Sequence, residues 1–257
     1  MLIIKKPNKK IFKEVAKQLK HGAVVVYPTD TAYALGCDAT NAKAVARIFK
    51  LKGRDKSKAL PMIVADMEMA KKFFFLSFPR KRESNHNLVN TPPNKDWTPD
   101  FSGVTKIISL AKKHWPGPLS LVLKVKKGIA KSALSKGTAA VRVPDSTIAR
   151  TLSKYLGRPI VATSANISYR PTCYSVRAVL RQFLSPSPCA GEVELSSTIA
   201  KRGEGRPAPR SFSGVGVRGG GVYVIDAGAL PRRRPSTIVK IDESGRIEIL
   251  RKGSVKL

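Results

Sequence analysis

Lys52 and Arg54 flank Gly53, and Ser164 and Asn166 flank Ala165; no other residues in this chain are better suited to chemistry. An ammonium and a guanidinium side by side suit phosphate oxygens, the first as a compact charge and the second as a planar fork. A hydroxyl and a carboxamide at the end of an apolar strand suit the smaller polar parts of a ligand. Together the four side chains describe a site for a polyphosphate beside a small polar substrate. Side chains must do the holding, because the sequence contains no Gly-x-x-x-x-Gly-Lys-Ser/Thr phosphate loop. Gly53 matters here: it breaks the preceding helix and frees Lys52 and Arg54 from helical spacing, so that both aim at one anion. The basic run from Lys50 to Lys58 also suits a helix C-terminus through the macrodipole alone.

Other candidates are weaker. In Pro28-Thr29-Asp30-Thr31-Ala32-Tyr33 a buried strand ends at a proline and hydroxyls follow, with Thr31 and Tyr33 two apart and able to face one ligand. An ordinary turn, with Asp30 or Thr31 bonded to its own backbone, explains the same residues. Trp115-Pro116-Gly117-Pro118-Leu119-Ser120 is a rigid turn that presents the Ser120 hydroxyl at a strand entry. His21, His86 and His114 have no ligand spacing, so no metal site is expected. No Ser/His/Asp triad or cysteine-protease pair is visible. Gly214 to Gly219 spells Gly-x-Gly-x-x-Gly, but a Pro/Arg/Ser loop precedes it and a strand follows, which argues against a dinucleotide fingerprint.

The elements that must position these groups follow from periodicity. Residues 9–20 place Ile11, Phe12, Val15 and Leu19 on one helical face, and Ala23 to Tyr27 is a continuous apolar strand. Residues 41–51 form a second helix, with Ala42, Val45, Ile48 and Phe49 on its apolar face. Strands are expected at 60–64, 119–125, 139–143, 160–163, 222–225, 237–241 and 247–250. Helices are expected from the Asp66 cap to Phe75, and over 104–115, 145–156 and 174–184. Helices interleaved with strands predict an α/β layered domain around one mixed sheet. Residues 76–103 and 185–220 break the rhythm with Pro, Asn, Ser, Arg and Gly and read as loop insertions in a single domain over 1–257.

Charge points to the partners. The chain has 48 Lys+Arg against 17 Asp+Glu, a formal +31, which concentrates anions such as nucleotides, pyrophosphate or RNA. Between residues 104 and 184 fifteen Lys/Arg face a single acid, Asp145. Taken one by one, most of these lysines read as solvated surface charge. Three cysteines without a Cys-x-x-Cys pair suggest neither a disulfide framework nor a zinc knuckle, and a reducing cytoplasm fits. No signal-peptide pattern or membrane-length apolar run is present, so no membrane association is expected.

Several ordered blocks then carry a family resemblance: Pro28-Thr29-Asp30-Thr31, Lys52-x-Arg54, Trp115 to Leu119, Val141-Arg142-Val143-Pro144, Ser164-x-Asn166, Pro235 to Val239 and Leu250-Arg251-x-Gly253. The chain resembles the YrdC-like threonylcarbamoyl-adenylate synthases, of the short single-domain type. The resemblance implies a twisted mixed β-sheet flanked by helices with a concave positively charged face. It further implies a nucleotidyltransferase that converts L-threonine, bicarbonate or CO2 and Mg2+-bound ATP to threonylcarbamoyl-AMP and pyrophosphate, for N6-threonylcarbamoyladenosine formation at position 37 of tRNA. In that scheme Lys52 and Arg54 are catalytic; Arg54, Lys58, Ser120, Ser164, Asn166 and Arg251 bind ATP; and Thr31, Arg142 and Ser236 bind threonine. The partner would be a tRNA-modifying transferase complex, with tRNA or double-stranded RNA as a further ligand. A non-catalytic RNA-binding module of the same fold, or a paralogue with another substrate, is the alternative. Ser168-Tyr169-Arg170-Pro171 departs from the family's Ser-Gly-x-Pro: Tyr169 replaces a residue that tolerates φ > 0, so the loop after Asn166 is expected to sit differently.

Overall fold

The computed structural model describes residues 1–76, 102–184 and 221–257. Six helices and twelve strands follow one another as β1 (Leu2–Lys5), α1 (Lys9–Lys20), β2 (Val24–Pro28), β3 (Tyr33–Gly36), α2 (Ala42–Lys52), β4 (Met62–Ile63), α3 (Met67–Phe73), β5 (Phe74–Phe75), α4 (Ser102–His114), β6 (Leu119–Val125), β7 (Thr138–Arg142), α5 (Thr147–Leu156), β8 (Ile160–Val161), β9 (Thr163–Ser164), α6 (Val176–Leu184), β10 (Val222–Asp226), β11 (Thr237–Ile241) and β12 (Ile247–Arg251). The expected α/β interleaving is present. The single sheet is not: the described strands form a five-stranded sheet, β1-β10-β2-β3-β9, and a seven-stranded one, β12-β11-β6-β7-β4-β8 with β5 on β6. Both sheets mix parallel and antiparallel pairs.

The division runs through the strand expected at 160–163. Val161 pairs with Met62 in the larger sheet, whereas Thr163 pairs with Leu35 in the smaller. Ala162 is the corner between them, and its N–H bonds to the Pro61 carbonyl. The helix expected to run to Phe75 stops at Phe73, because Phe74 and Phe75 pair with β6 and bury the Phe74 ring. Helix α4 starts at Ser102, so residues 102 and 103 belong to the fold and not to the first expected insertion. Leu76, at the other end of that expected insertion, is likewise buried in the fold; residues 77–101 and 185–220, including the glycine repeat at 214–219, lie outside the described residues.

Side-chain alternation builds two cores from the same strands. Along β2, Val24 and Val26 enter one cluster while Val25 and Tyr27 enter the other. The second cluster is covered by α1 and α5, through Phe12, Val15, Leu19, Leu152 and Leu156. Along β6, Leu119, Leu121 and Leu123 are buried in the first cluster, each contributing about 1.5–3 kcal/mol. Their neighbours Ser120 and Val122 turn the other way and line a cleft. The helices start where the sequence caps them: Asn8 and Asn41 accept the Ile11 and Ala44 N–H groups. Helix α2 ends at Gly53, whose φ of 56° is left-handed.

Candidate functional site

The cleft has a volume of about 720 Å3 and lies between the free face of the larger sheet and the β3–β9 edge of the smaller. Its lining includes Thr31, Arg54, Ser120, Arg142, Ser164, Ser236 and Arg251. These come from two loops, a helix end, three strands of the larger sheet and one of the smaller, so chain folding alone gathers them. Three of the expected site residues, Lys52, Lys58 and Asn166, are not on the wall.

Lys52 is the largest departure from the sequence reading. Its side chain is 2% exposed, and Nζ donates to the Ser164 carbonyl at 2.6 Å, the Asn166 carbonyl at 2.5 Å and Asn166 Oδ1 at 3.1 Å. An ammonium has three donors, and all three are used. Gly53 does separate the two cations, but in different directions: Arg54 to the cleft, Lys52 inward beneath the strand end that carries Ser164. Burial pulls the Lys52 ammonium down to about 8, and the nearby Arg54 charge acts the same way. The two tripeptides singled out by sequence therefore meet, joined by a buried cation on neutral acceptors.

Asn166 is spent inside the same knot. Its Oδ1 accepts from Lys52 and from Ser164 Oγ at 2.6 Å, and its Nδ2 donates to the Arg170 carbonyl. Because Asn166 Oδ1 accepts the Ser164 proton, the Ser164 hydroxyl is left presenting lone pairs to the cleft. Lys58 stands at the rim, its Nζ 5.5 Å from the ring centroid of Tyr169. Tyr169 is 92% exposed and itself takes a left-handed φ of 67°, the conformation that a glycine there would tolerate without strain.

The opposite wall is a second network. Arg142 Nη1 reaches both carboxylate oxygens of Asp30, at 2.6 and 2.8 Å, in a pair that is nearly fully buried. Arg142 Nη2 lies 3.5 Å from Thr31 Oγ1, which in turn is 3.1 Å from Thr29 Oγ1. Arg251 donates through Nε to the Ser236 carbonyl at 2.9 Å and through Nη2 to Ser236 Oγ at 2.7 Å. Ser120 Oγ donates to the same Ser236 oxygen at 3.2 Å. With two bonds already accepted, Ser236 Oγ keeps its own proton to give to a ligand. Gly253 makes the arrangement possible: a Cβ there would lie 2.1 Å from the Pro235 carbonyl oxygen. The guanidiniums of Arg54 and Arg251 are both held below the usual arginine range, by burial first and, for Arg251, by the Arg142 charge second.

Tyr33, which the sequence made able to face a ligand beside Thr31, is on the cleft lining, but its hydroxyl is taken up within the fold. Its Oη donates to the Gly228 carbonyl at 2.8 Å and accepts from Ala227 N–H at 2.9 Å, tying β3 to the end of β10. Sequence reasoning missed Asp30 as the partner of Arg142, since nothing local links residues 112 apart. It also missed Thr138, Thr172, Tyr174, Lys136 and Arg233 on the cleft wall. For Thr138 a signal existed: it lies two and four residues before Ala140 and Arg142 on β7, so alternation puts all three on one face. Among the described residues no group of three His, Cys, Asp or Glu could hold a metal ion, and no helix is long and apolar enough to cross a membrane.

Known proteins share this framework. A family model for Sua5/YciO/YrdC, described as "Telomere recombination", matches residues 17–188. The threonylcarbamoyl-AMP synthase of Neisseria gonorrhoeae is 31% identical over 173 residues, covering 66% of this chain and 78% of its own. That of Pyrococcus abyssi is 33% identical over 173 residues, covering 66% of this chain but 43% of the relative. The solved structure of P. abyssi Sua5 complexed with L-threonine superposes with a TM-score of 0.65 at 25% identity, covering 98% of this chain. The match spans 57% of that longer protein. Escherichia coli YciO, at 19% identity and a TM-score of 0.64, shares the fold.

Proposed function

Since this chain belongs to the Sua5/YciO/YrdC family, we propose that it is an L-threonylcarbamoyladenylate synthase, a nucleotidyltransferase acting on L-threonine, bicarbonate or CO2, and ATP. One observation carries the reading: Thr31, Arg54, Ser120, Arg142, Ser164, Ser236 and Arg251 line a single cleft. The names of the relatives support a synthase, and the reading as a non-catalytic RNA-binding module is not favoured. The same proposal takes residues 1–257 as one domain with insertions, the cleft as its concave cationic face, the cytoplasm as its location and a tRNA-modifying transferase complex as the consumer of its product.

The chemistry divides the residues. The threonine amine forms a bond to the carbon of bicarbonate and water leaves, giving a carbamate. A carbamate oxygen then bonds to the α-phosphorus of ATP as the bond from that phosphorus to the bridging oxygen breaks, and pyrophosphate departs. This transfer asks for alignment and charge neutralisation more than for a covalent nucleophile. Arg54 and Lys58 hold the triphosphate. Ser120, Ser164 and Arg251 surround the forming adenylate. Thr31, Arg142 and Ser236 fix threonine and its carboxylate, with Arg142 aimed by Asp30. Lys52 is a positioning residue: it holds the strand end that presents Ser164, and Asn166 acts with it. Mg2+ brought in with the triphosphate would share the charge of its phosphates beside Arg54 and Lys58. Purified protein with threonine, bicarbonate and Mg-ATP is expected to release pyrophosphate only when threonine is present. Release that ignores threonine overturns the assignment.

A further inference from the structure

The cleft face of the larger sheet is banded. Same-face residues along a strand repeat about every 6.6 Å, so paired strands present rows across the sheet. One row holds Arg251, Ile238 and Ser120, and register continues it to Arg142. The next holds Glu248 opposite Lys240 and Val122 opposite Ala140. A β-bulge joins them on β12: Ile238 pairs with Arg251 but Val239 with Ile249, which leaves Leu250 as the extra residue. The bulge lets consecutive residues, Leu250 and Arg251, both reach the cleft.

The two rows differ in chemistry. The first, with Ser236 beside it, is hydroxyls and guanidiniums. The second carries Val122, and Ile238 from the first row and the bulged Leu250 between the rows join it in an aliphatic shelf, ended by the Lys240 ammonium and the Glu248 carboxylate. Glu248 is the single carboxylate among the described lining residues, which otherwise include Arg54, Lys136, Arg142, Arg233, Lys240 and Arg251. A carboxylate repels phosphate, so Glu248 marks the end of the cleft that the phosphates avoid. Lys240 Nζ and Glu248 Oε2 stand 4.0 Å apart, beyond the ~2.7–2.9 Å of a charge-assisted hydrogen bond. Donors and lone pairs thus remain for a ligand. From Ser236 to Lys240 the strand advances about 13 Å, which leaves room for a ribose between a phosphate at one row and a base at the other.

We propose that Val122, Ile238 and Leu250 form the shelf for the nucleotide's base and that Lys240 and Glu248 read the edge of a 6-aminopurine. The inference rests on the nucleotide reading above and adds the determinant of base choice. An ionised Glu248 accepts only, so it takes an N–H of the exocyclic amine, while Lys240 donates to a ring nitrogen. A purine without the amine leaves the carboxylate unpaired.

The test is equilibrium binding of ATP and of purine riboside triphosphate, which lacks only the 6-amino group, read by competition with a fluorescent nucleotide. Both side chains are more than half exposed, at 56% and 64%, so substitution leaves the fold intact. The wild-type protein is expected to favour ATP by about tenfold, the yield of one charge-assisted bond. Glu248→Ala brings the two affinities together, and Lys240→Met weakens both. A ratio unchanged in Glu248→Ala, or no binding of either nucleotide by the wild type, overturns the proposal. Threonine-dependent pyrophosphate release, measured separately, reports on the synthase assignment, so the two can fail independently.

Discussion

Charge is buried in two regions of this protein, and the two are completed differently. Around Asp38, which is fully buried, the carboxylate accepts from Thr40 N–H at 2.8 Å, Thr40 Oγ1 at 2.7 Å and Arg158 Nη1 at 2.9 Å. Acid, cation and hydroxyl close on one another. On the cleft side Lys52, Arg54 and Arg251 are held by carbonyls, a carboxamide and a hydroxyl, with no carboxylate partner among the described residues. Desolvation lowers the pKa of all three. A cation on neutral acceptors keeps its field for something else, whereas an ion pair spends it internally. Arg142 stands between the two cases, paired with Asp30 yet exposed to the cleft through its other nitrogen.

Removing one member of each region separates binding from stability. Arg54→Ala is expected to lower threonine-dependent pyrophosphate release by about 100-fold, since charge-assisted bonds contribute ~1.5–3 kcal/mol each and an arginine fork makes two. The melting temperature should stay near that of the wild type, because Arg54 holds only two nearby loop carbonyls, Ala59 through Nη2 at 3.0 Å and Lys58 through Nε at 3.5 Å. Asp38→Asn should do the reverse, lowering thermal stability while leaving the KM for ATP unchanged. If Arg54→Ala instead melts early and keeps its activity, the contrast between the regions is false.

How far the sequence foretold this contrast depends on separation. Helices α1 and α2, strand β6 and the three C-terminal strands carry their own periodicity, and they were legible to within a residue or two. Strands β1, β3 and β5 were not. Each has at most four residues, and β3 is buried throughout, so no alternation marks it. The splitting of 160–164 between two sheets depends on partners at Met62 and Leu35, which local pattern does not encode. Lys52 and Arg54 were legible as a pair but not as opposites. A left-handed Gly53 sends its neighbours in different directions, and which one turns inward is decided by the carbonyls of residues 164 and 166, more than a hundred positions away. Asp30 and Arg142 are equally remote from one another. Tyr169 was legible as a departure but not in its outcome: a tyrosine argues against a positive φ, and the backbone takes one of 67° all the same.

Lys52 offers the sharper probe, because its charge is near a switching point. Its ammonium is pulled down to about 8, against an ordinary 10.5. Below that pH three N–H groups serve three acceptors. Above it the neutral amine has two N–H groups and turns a lone pair toward a carbonyl oxygen, so kcat/KM should fall as pH rises through about 8. Stability should move the other way. With the folded pKa below the unfolded one, the unfolded chain holds more protons between about 8 and 10.5, and unfolding free energy rises with pH across that window. Lys52→Met should abolish both dependences and reduce kcat about tenfold by releasing the Ser164 strand end. A pH–rate profile and a series of thermal melts, each read as wild type minus variant, check the opposed signs. Parallel changes would mean that Lys52 is an ordinary structural cation.

At the rim the same comparison can be drawn with the smallest perturbation. Tyr169 holds a left-handed φ of 67° and places its ring 5.5 Å from Lys58 Nζ. That backbone conformation costs a non-glycine residue about 1–2 kcal/mol, and an exposed cation–π contact returns only about 0.5–1 kcal/mol. Tyr169→Gly should therefore leave the melting temperature within about one to two degrees of the wild type, because the glycine's extra freedom in the unfolded chain, about 0.4–1 kcal/mol, offsets what remains of the relief. Lys58, released from the ring, should bind the triphosphate no less tightly, so the KM for ATP stays level or falls. A drop in melting temperature together with a rise in KM would show that the ring is part of the binding surface, and that the rim, unlike the closed Asp38 cluster, keeps a strained residue because a ligand uses it.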